Sequence, residues 1–171
     1  MHRDTSITPA ERAAIKRVST LGIDTRSMSA ISNVFRVSNS LRNFSEQTLL
    51  KEFGLSFSGF TVLWVLWIWG PKESHVLAAE SGIAKSTLTG VMKTLQSLGF
   101  ASKMAHSSDR RRVVVTITPS GARIMKKIFP RFNQIEVNAT ANLTKGEKTD
   151  LAHALRVILH TVERQISGPN P

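Results

Sequence analysis

The longest apolar run of the chain, FTVLWVLWIW from Phe60 to Trp69, has no polar face. Phe60, Leu63, Trp64 and Trp67 recur at i, i+3, i+4 and i+7, while Val62, Val65, Leu66 and Ile68 fill the other side. The pattern predicts a helix over 57–69, capped by Ser56 and stopped by Gly70-Pro71. Being apolar all round, it should be buried centrally. The run is about half the ~20 residues that span a bilayer, so no membrane association is expected.

The other predicted helices are amphipathic. Thr8-Pro9-Ala10-Glu11 reads as a capping box with proline at the first helical position, and its short helix should end near Gly22. Asp24 or Thr25 can cap the next helix. Its apolar residues Met28, Ile31, Phe35, Leu41 and Phe44 are interrupted at Ser38, and Gly54 is the expected terminator. Beyond the central helix, residues 73–81 form a short helix carrying Val76, Leu77 and Ala79, broken by Gly82. A new helix over about 85–98 has Leu88, Val91, Met92 and Leu95 as its inner stripe, and Gly99 ends it. Two short helices joined at a glycine turn, the second amphipathic, are the helix-turn-helix pattern.

The period then changes from 3.6 to 2. Residues 100–106 and 112–118 read as a hairpin, with Val113, Val115 and Ile117 anchoring one face and residues 107–111 as its tip. Thr118-Pro119 starts a helix bearing Ile124, Met125, Ile128, Phe129, Phe132 and Ile135, with a kink expected at Pro130. Thr144-Lys145-Gly146-Glu147 is a second capping box, opening a last helix with the stripe Leu151, Leu155, Ile158 and Val162. Residues 1–7 and 167–171 are expected to be disordered. The fold class is mainly α with a small β-hairpin wing, a winged helix-turn-helix.

Charge sharpens this picture. The net charge is +11, and residues 81–135 hold ten Lys/Arg against one acid, Asp109. Residues 136–171, by contrast, hold four of each sign. An excess gathered in one third of the chain is the footprint of a polyanion binder, whereas a merely solubilising surface would be spread evenly. The absence of cysteine excludes a disulfide framework and thiolate metal sites, and fits a reducing, cytoplasmic setting. The polar stretch 1–17 lacks the apolar core of a signal peptide.

On the 85–98 helix, Lys85, Ser86, Thr87, Thr89, Gly90 and Lys93 lie off the apolar stripe. Small residues let a helix approach a major groove, hydroxyls reach base edges or phosphate, and lysines neutralise phosphate. An ordinary solvated helix face would usually carry glutamates, and this one has none. At the wing tip, Arg110, Arg111 and Arg112 are more cations than a turn needs; an arginine there suits the minor groove, with Asp109 positioning it.

The stretches GLSFSGFTVLWVL (54–66), GIAKSTLTGVMKTLQSLGF (82–100) and DRRRVVVTITPSG (109–121) together resemble the MarR (multiple antibiotic resistance regulator) transcription regulators. In order and spacing they match that family's core helix, recognition helix, and wing running into a Thr-x-x-Gly helix start. The resemblance implies a homodimer built from the terminal helices, and a palindromic DNA operator read by paired recognition helices and wings. It also implies an Asp-x-Arg wing pair at Asp109 and Arg111. The corresponding division is 1–53 as an N-terminal dimerisation arm, 54–121 as the DNA-binding region and 122–171 as C-terminal dimerisation helices. Two departures stand out. Ala84 replaces the common capping Ser or Asn, and Lys103 replaces an arginine, keeping charge but losing bidentate geometry.

The expected function is therefore a sequence-specific transcription regulator, a repressor, and not an enzyme, with double-stranded DNA and a second copy of itself as partners. No cofactor is expected. Family members often bind small aromatic or anionic compounds; here Phe35, Phe60, Trp64, Trp67 and Trp69 could line such a cavity, with Arg36 or Arg42 pairing an acid. A packed aromatic core is the competing account of those rings. Two rivals remain. One is a sequence-neutral architectural DNA binder. The other places zinc or acid/base chemistry at His160 and Glu163, with His153 two turns earlier. No Gly-rich phosphate loop, HExxH or nucleophile elbow accompanies that cluster.

Overall fold

The computed structural model describes residues 7–105 and 113–167. Its elements are α1 (Pro9–Val18), α2 (Thr25–Thr48), α3 (Phe57–Trp69), β1 (Lys72–Glu73), α4 (Ser74–Glu80), α5 (Lys85–Ser97), β2 (Ala101–Ala105), β3 (Val113–Ile117), α6 (Pro119–Ala139) and α7 (Lys145–Ser167). The chain divides into two compact units, residues 1–57 and 58–171.

In the first unit, Thr8 Oγ1 accepts the Glu11 N–H at 3.2 Å, with Pro9 at the first helical position. The expected capping box is only half formed. The Glu11 carboxylate instead accepts from Asn33 Nδ2 of α2 at 3.4 Å, which ties the two helices together. Asp24 caps α2, accepting from the N–H of Arg26 (2.9 Å) and Ser27 (3.3 Å) and from the Ser27 hydroxyl (2.6 Å). These bonds, the Ser27 hydroxyl foremost, hold its carboxyl below the usual aspartate range. Helix α2 continues through Ser38, whose polarity does not break it, but stops at Thr48 rather than Gly54. A 3-10 turn, Leu50–Phe53, fills the gap, and Gly54 closes that turn at φ 68°. The Ser45 hydroxyl is buried and donates to the Leu41 carbonyl at 2.7 Å, while Leu49, Leu50 and Leu55 are buried around it.

In the second unit, α3 buries Phe60, Val62, Leu63, Val65 and Leu66. Its last turn departs from the expected central burial: Ile68 is 46% and Trp69 57% exposed. Apolar residues on every side do not guarantee enclosure when a helix ends at the edge of its core, and α3 ends against Gly70, φ 76°. The exposed end continues an aromatic seam with α6. Trp64 stacks on Phe129 at 4.5 Å, Trp67 lies 5.8 Å from Phe129, and Phe60 meets Phe132 at 4.5 Å. Helix α6 runs through Pro130 to Ala139.

The expected hairpin is the larger part of a three-stranded antiparallel sheet ordered β1-β3-β2. Glu73, assigned to a helix from sequence, instead pairs in β1 with Val114, beside Lys72 with Val115; α4 begins at Ser74. Central position explains why Val115 is wholly buried. Ile117 is half-buried and Val113, at the strand end, is exposed, so the anchoring face is narrower than the alternation implied.

Helix α7 opens with the reciprocal box expected of it. The Thr144 N–H and hydroxyl both donate to Glu147, at 2.7 and 2.8 Å, and the Glu147 N–H returns to Thr144 Oγ1 at 3.3 Å. The Thr144 backbone N–H, then its hydroxyl, keep the Glu147 carboxyl below its ordinary pKa. Of the predicted stripe only Ile158 is half-buried; Leu151, Leu155 and Val162 are exposed, as are Val157, Leu159 and Ile166. The helix extends to Ser167, the first residue of the tail expected to be disordered; residues 1–6 and 168–171 lie outside the described residues. Among the described residues no helix is long and apolar enough to cross a membrane.

Candidate nucleic-acid interface

Three leucine-type positions set the orientation of α5. Leu88, Met92 and Leu95 are buried, and Val91 is half-buried at the stripe's margin. Helical geometry then turns Lys85, Ser86, Thr87, Thr89, Gly90 and Lys93 outward, and every one of them is exposed. Thr94 and Ser97 extend the same face, again both exposed; the period that placed the others would have placed these too. A Cβ added to Gly90 would meet nothing within 4 Å, so the face is open at its centre.

Ala84 occupies the cap of α5 in extended conformation, ψ 149°, and supplies no side-chain bond to the first-turn N–H groups. Ala84→Ser should add that bond and stabilise the lobe by about 1 kcal/mol. Thermal unfolding should rise by about 2–4 °C; an unchanged or lower midpoint would show that the cap is satisfied otherwise.

The far end of α5 is locked to the wing and to α6. Gly99, φ 70°, reverses the chain, and Phe100 N–H closes onto the Leu95 carbonyl at 2.8 Å. Thr118 joins the three elements. Its hydroxyl donates to the Gly99 carbonyl at 2.6 Å and accepts the Gly121 N–H at 3.0 Å, while its own N–H bonds Phe100 O at 3.0 Å. The Thr-x-x-Gly start thus fixes where β3 leaves and α6 begins relative to α5.

Lys103 lies on β2 opposite Val115, exposed. Asp109, Arg110, Arg111 and Arg112 lie outside the described residues. The candidate effector residues are spread over both units. In the first, Phe35 is 65% exposed, Arg36 Nη1 is 3.5 Å from Asn33 Oδ1, and the Arg42 guanidinium sits 5.2 Å above the Phe57 ring. In the second, Phe60 is 5% exposed and committed to packing, whereas Trp64 and Trp67 are half-buried in the seam against Phe129. His160 Nδ1 is 3.7 Å from Glu163 Oε2; among the described residues no three His, Asp or Glu side chains are grouped to hold a metal.

A helix-turn-helix whose second helix presents small, uncharged and basic side chains, followed by an antiparallel wing, defines a winged helix-turn-helix DNA-binding lobe. The MarR family pattern matches residues 55–113. The chain is 32% identical over 166 residues to YwaE, an uncharacterised HTH-type transcriptional regulator of Bacillus subtilis (strain 168), covering 94% of this chain and 97% of that one. Among solved structures, it superposes on Bordetella bronchiseptica BpsR, whose DNA binding is regulated by 6-hydroxynicotinic acid. That match has a TM-score of 0.70 at 23% identity over 76% of this chain and 98% of that one. It also superposes on S. aureus MepR bound to DNA, with a TM-score of 0.67 at 19% identity over 76% and 96%. The chain belongs to the MarR family of transcriptional regulators.

Proposed function

We propose that this regulator is a repressor that binds a palindromic operator in double-stranded DNA as a homodimer. Its operator binding is modulated by a small aromatic or anionic ligand. The observation that carries the reading is the outward face of α5: Lys85, Ser86, Thr87, Thr89, Gly90 and Lys93, all exposed with no carboxylate among them. Ser86, Thr87 and Thr89 read base edges, Lys85, Lys93 and Lys103 neutralise phosphate, and Gly90 lets the backbone come close. The wing tip Asp109–Arg112 adds a minor-groove contact in this reading.

Two helices support the homodimer. Val34, Phe35, Val37 and Phe44 are exposed on α2, and Leu151, Leu155, Leu159 and Val162 on α7. A second copy would cover such faces, and self-complementary pairing is the commonest assembly. For the ligand, the half-buried Trp64 and Trp67 of the second unit offer ring faces. BpsR, whose DNA binding is regulated by 6-hydroxynicotinic acid, is a precedent for a ligand-regulated DNA binder of this fold, and MepR for its complex with DNA. The family's role is regulation rather than catalysis, and a cytoplasmic setting follows from it.

The rival is a sequence-neutral architectural binder with the same charge. Competition at fixed salt separates the two. Random-sequence duplex should displace the operator only at a roughly thousandfold or greater excess. Equal displacement would rule out the regulator.

A further inference from the structure

Four of the ten Lys/Arg within residues 81–135 take no part in the α5 face or the wing: Arg123, Lys126, Lys127 and Arg131 lie on α6. Gly121, Met125 and Ile128 are the buried side of that helix. Helical geometry puts Arg123, Lys126 and Lys127 on the opposite side, and all three are exposed. None of the three makes an ion pair with a described residue. The one carboxylate in the α6 sequence is Glu136, nine positions beyond Lys127, where it accepts from Asn133 Nδ2 at 2.8 Å.

Folding gives no reason for this row. Arg123 and Lys127 stand at i, i+4, where like charges weaken a helix. A solvated face of the usual kind mixes the two signs, as α7 does with Glu147, Lys148, Asp150, Glu163 and Arg164. The row therefore suits a negative partner, and one that needs no apolar anchor. The large apolar side chain exposed on α6 is Val137, ten positions past Lys127, whereas the centre of a protein interface is apolar. A second copy meeting the same face would set like charge against like. A phosphate backbone fits, because it is held by charge and polar contacts that carry no sequence information.

The place of the row selects which phosphates. Thr118 binds the start of α6 to Gly99, at the end of α5, and to Phe100, at the base of the wing. The five residues of β3 hold the tip-side end about 14 Å from that base. A straight duplex held by α5 and the wing tip passes at the far end of β3. Helix α6 is met by duplex beyond the operator, curved toward the lobe.

We propose that the outward face of α6 holds the DNA flanking the operator, with Arg123, Lys126 and Lys127 on its phosphates and the duplex bent around the lobe. The proposal rests on the DNA-binding reading above and adds to it a contact outside the helix-turn-helix and the wing. This contact is blind to the flanking sequence, so it raises affinity without changing the bases that α5 reads.

The test compares two labelled duplexes on the full-length protein. One is the selected inverted repeat alone; the other carries about two further helical turns of arbitrary sequence on each side. At about 50 mM salt the longer duplex should bind about tenfold more tightly, and the advantage should vanish by about 200 mM. Its plot of log Kd against log salt should be steeper by about 0.9 for each added phosphate contact. Arg123→Gln/Lys126→Gln/Lys127→Gln should abolish the length advantage, leave binding of the short duplex unchanged, and melt no lower than the parent. An equal loss of charge on α7, Lys145→Gln/Lys148→Gln/Arg164→Gln, should keep the advantage. In chemical acetylation read by mass spectrometry, the longer duplex alone should protect Lys126 and Lys127. Equal affinity for the two duplexes at low salt would overturn the proposal. So would loss of the advantage in the α7 variant, which would reduce the effect to net charge, or reactive Lys126 and Lys127 under the longer duplex, which would leave the face to an acidic protein. Binding of the short duplex is the separate check. If it fails in the parent, the DNA reading falls and takes this contact with it; if it is tight and length makes no difference, only the α6 contact falls.

Discussion

Gly121→Ala is expected to cost about 3 kcal/mol of stability. A Cβ at this position would sit 2.1 Å from the Phe100 carbonyl oxygen and 2.8 Å from Ile117 Cγ1. Neither neighbour can yield cheaply. Phe100 O accepts the Thr118 N–H, and Ile117 ends β3 in register with Ala101. Relief would require α6 to move away from the start of β2, which would stretch the Thr118 bonds to Gly99 and Gly121 as well. For a chain of this size the unfolding midpoint should drop by about 6–12 °C, read by calorimetry. Operator binding should weaken in proportion to any folded population whose wing and α5 are no longer held together. A melting point equal to the parent's would mean the α6 start is not a close-packed contact.

The second large effect separates function from folding at one residue. Gly90 lies in the middle of the exposed α5 face with open space where a side chain would go. Gly90→Ala should stabilise the protein by about 0.5–1 kcal/mol, since glycine inside a helix is unfavourable. Gly90→Glu should also fold, yet it places a carboxylate where, in the proposed operator complex, DNA phosphates and base edges come close. Like-charge juxtaposition at an interface costs several kcal/mol, so operator affinity should fall by about a hundredfold or more. Fluorescence anisotropy with labelled operator, beside a thermal melt of each variant, gives both readouts. Full operator affinity in Gly90→Glu would remove α5 from the interface.

Legibility in the sequence followed the strength of the local signal. The outer face of α5 was readable because Leu88, Met92 and Leu95 fix the helix phase, and phase alone assigns every outward position, Thr94 and Ser97 included. Glycine and capping residues marked most element ends correctly, among them Asp24, Gly99, Thr118 and Thr144. β1 escaped because two residues carry no period; Lys72 and Glu73 become a strand only through pairing with a segment some forty positions later. The same holds for the clamp at Thr118. Its capping role is local and was visible, but its bond to Gly99 and the contact that forbids a side chain at Gly121 are tertiary. On α7 the pattern found the apolar stripe but not whether the chain covers it: the phase of a stripe says nothing of its partner, and Leu151, Leu155 and Val162 are exposed.

The central claim is that two copies of α5 read one DNA sequence, and selection of bound duplexes from a random pool addresses it directly. The expected outcome is a single enriched motif, an inverted repeat whose half-sites lie about one helical turn apart, roughly 10 base pairs centre to centre or a multiple of that. Thr87 and Thr89 variants should change the enriched bases, while Lys85 and Lys93 variants should weaken binding without changing them. A pool that stays random after selection, or a motif without two-fold symmetry, would contradict the account.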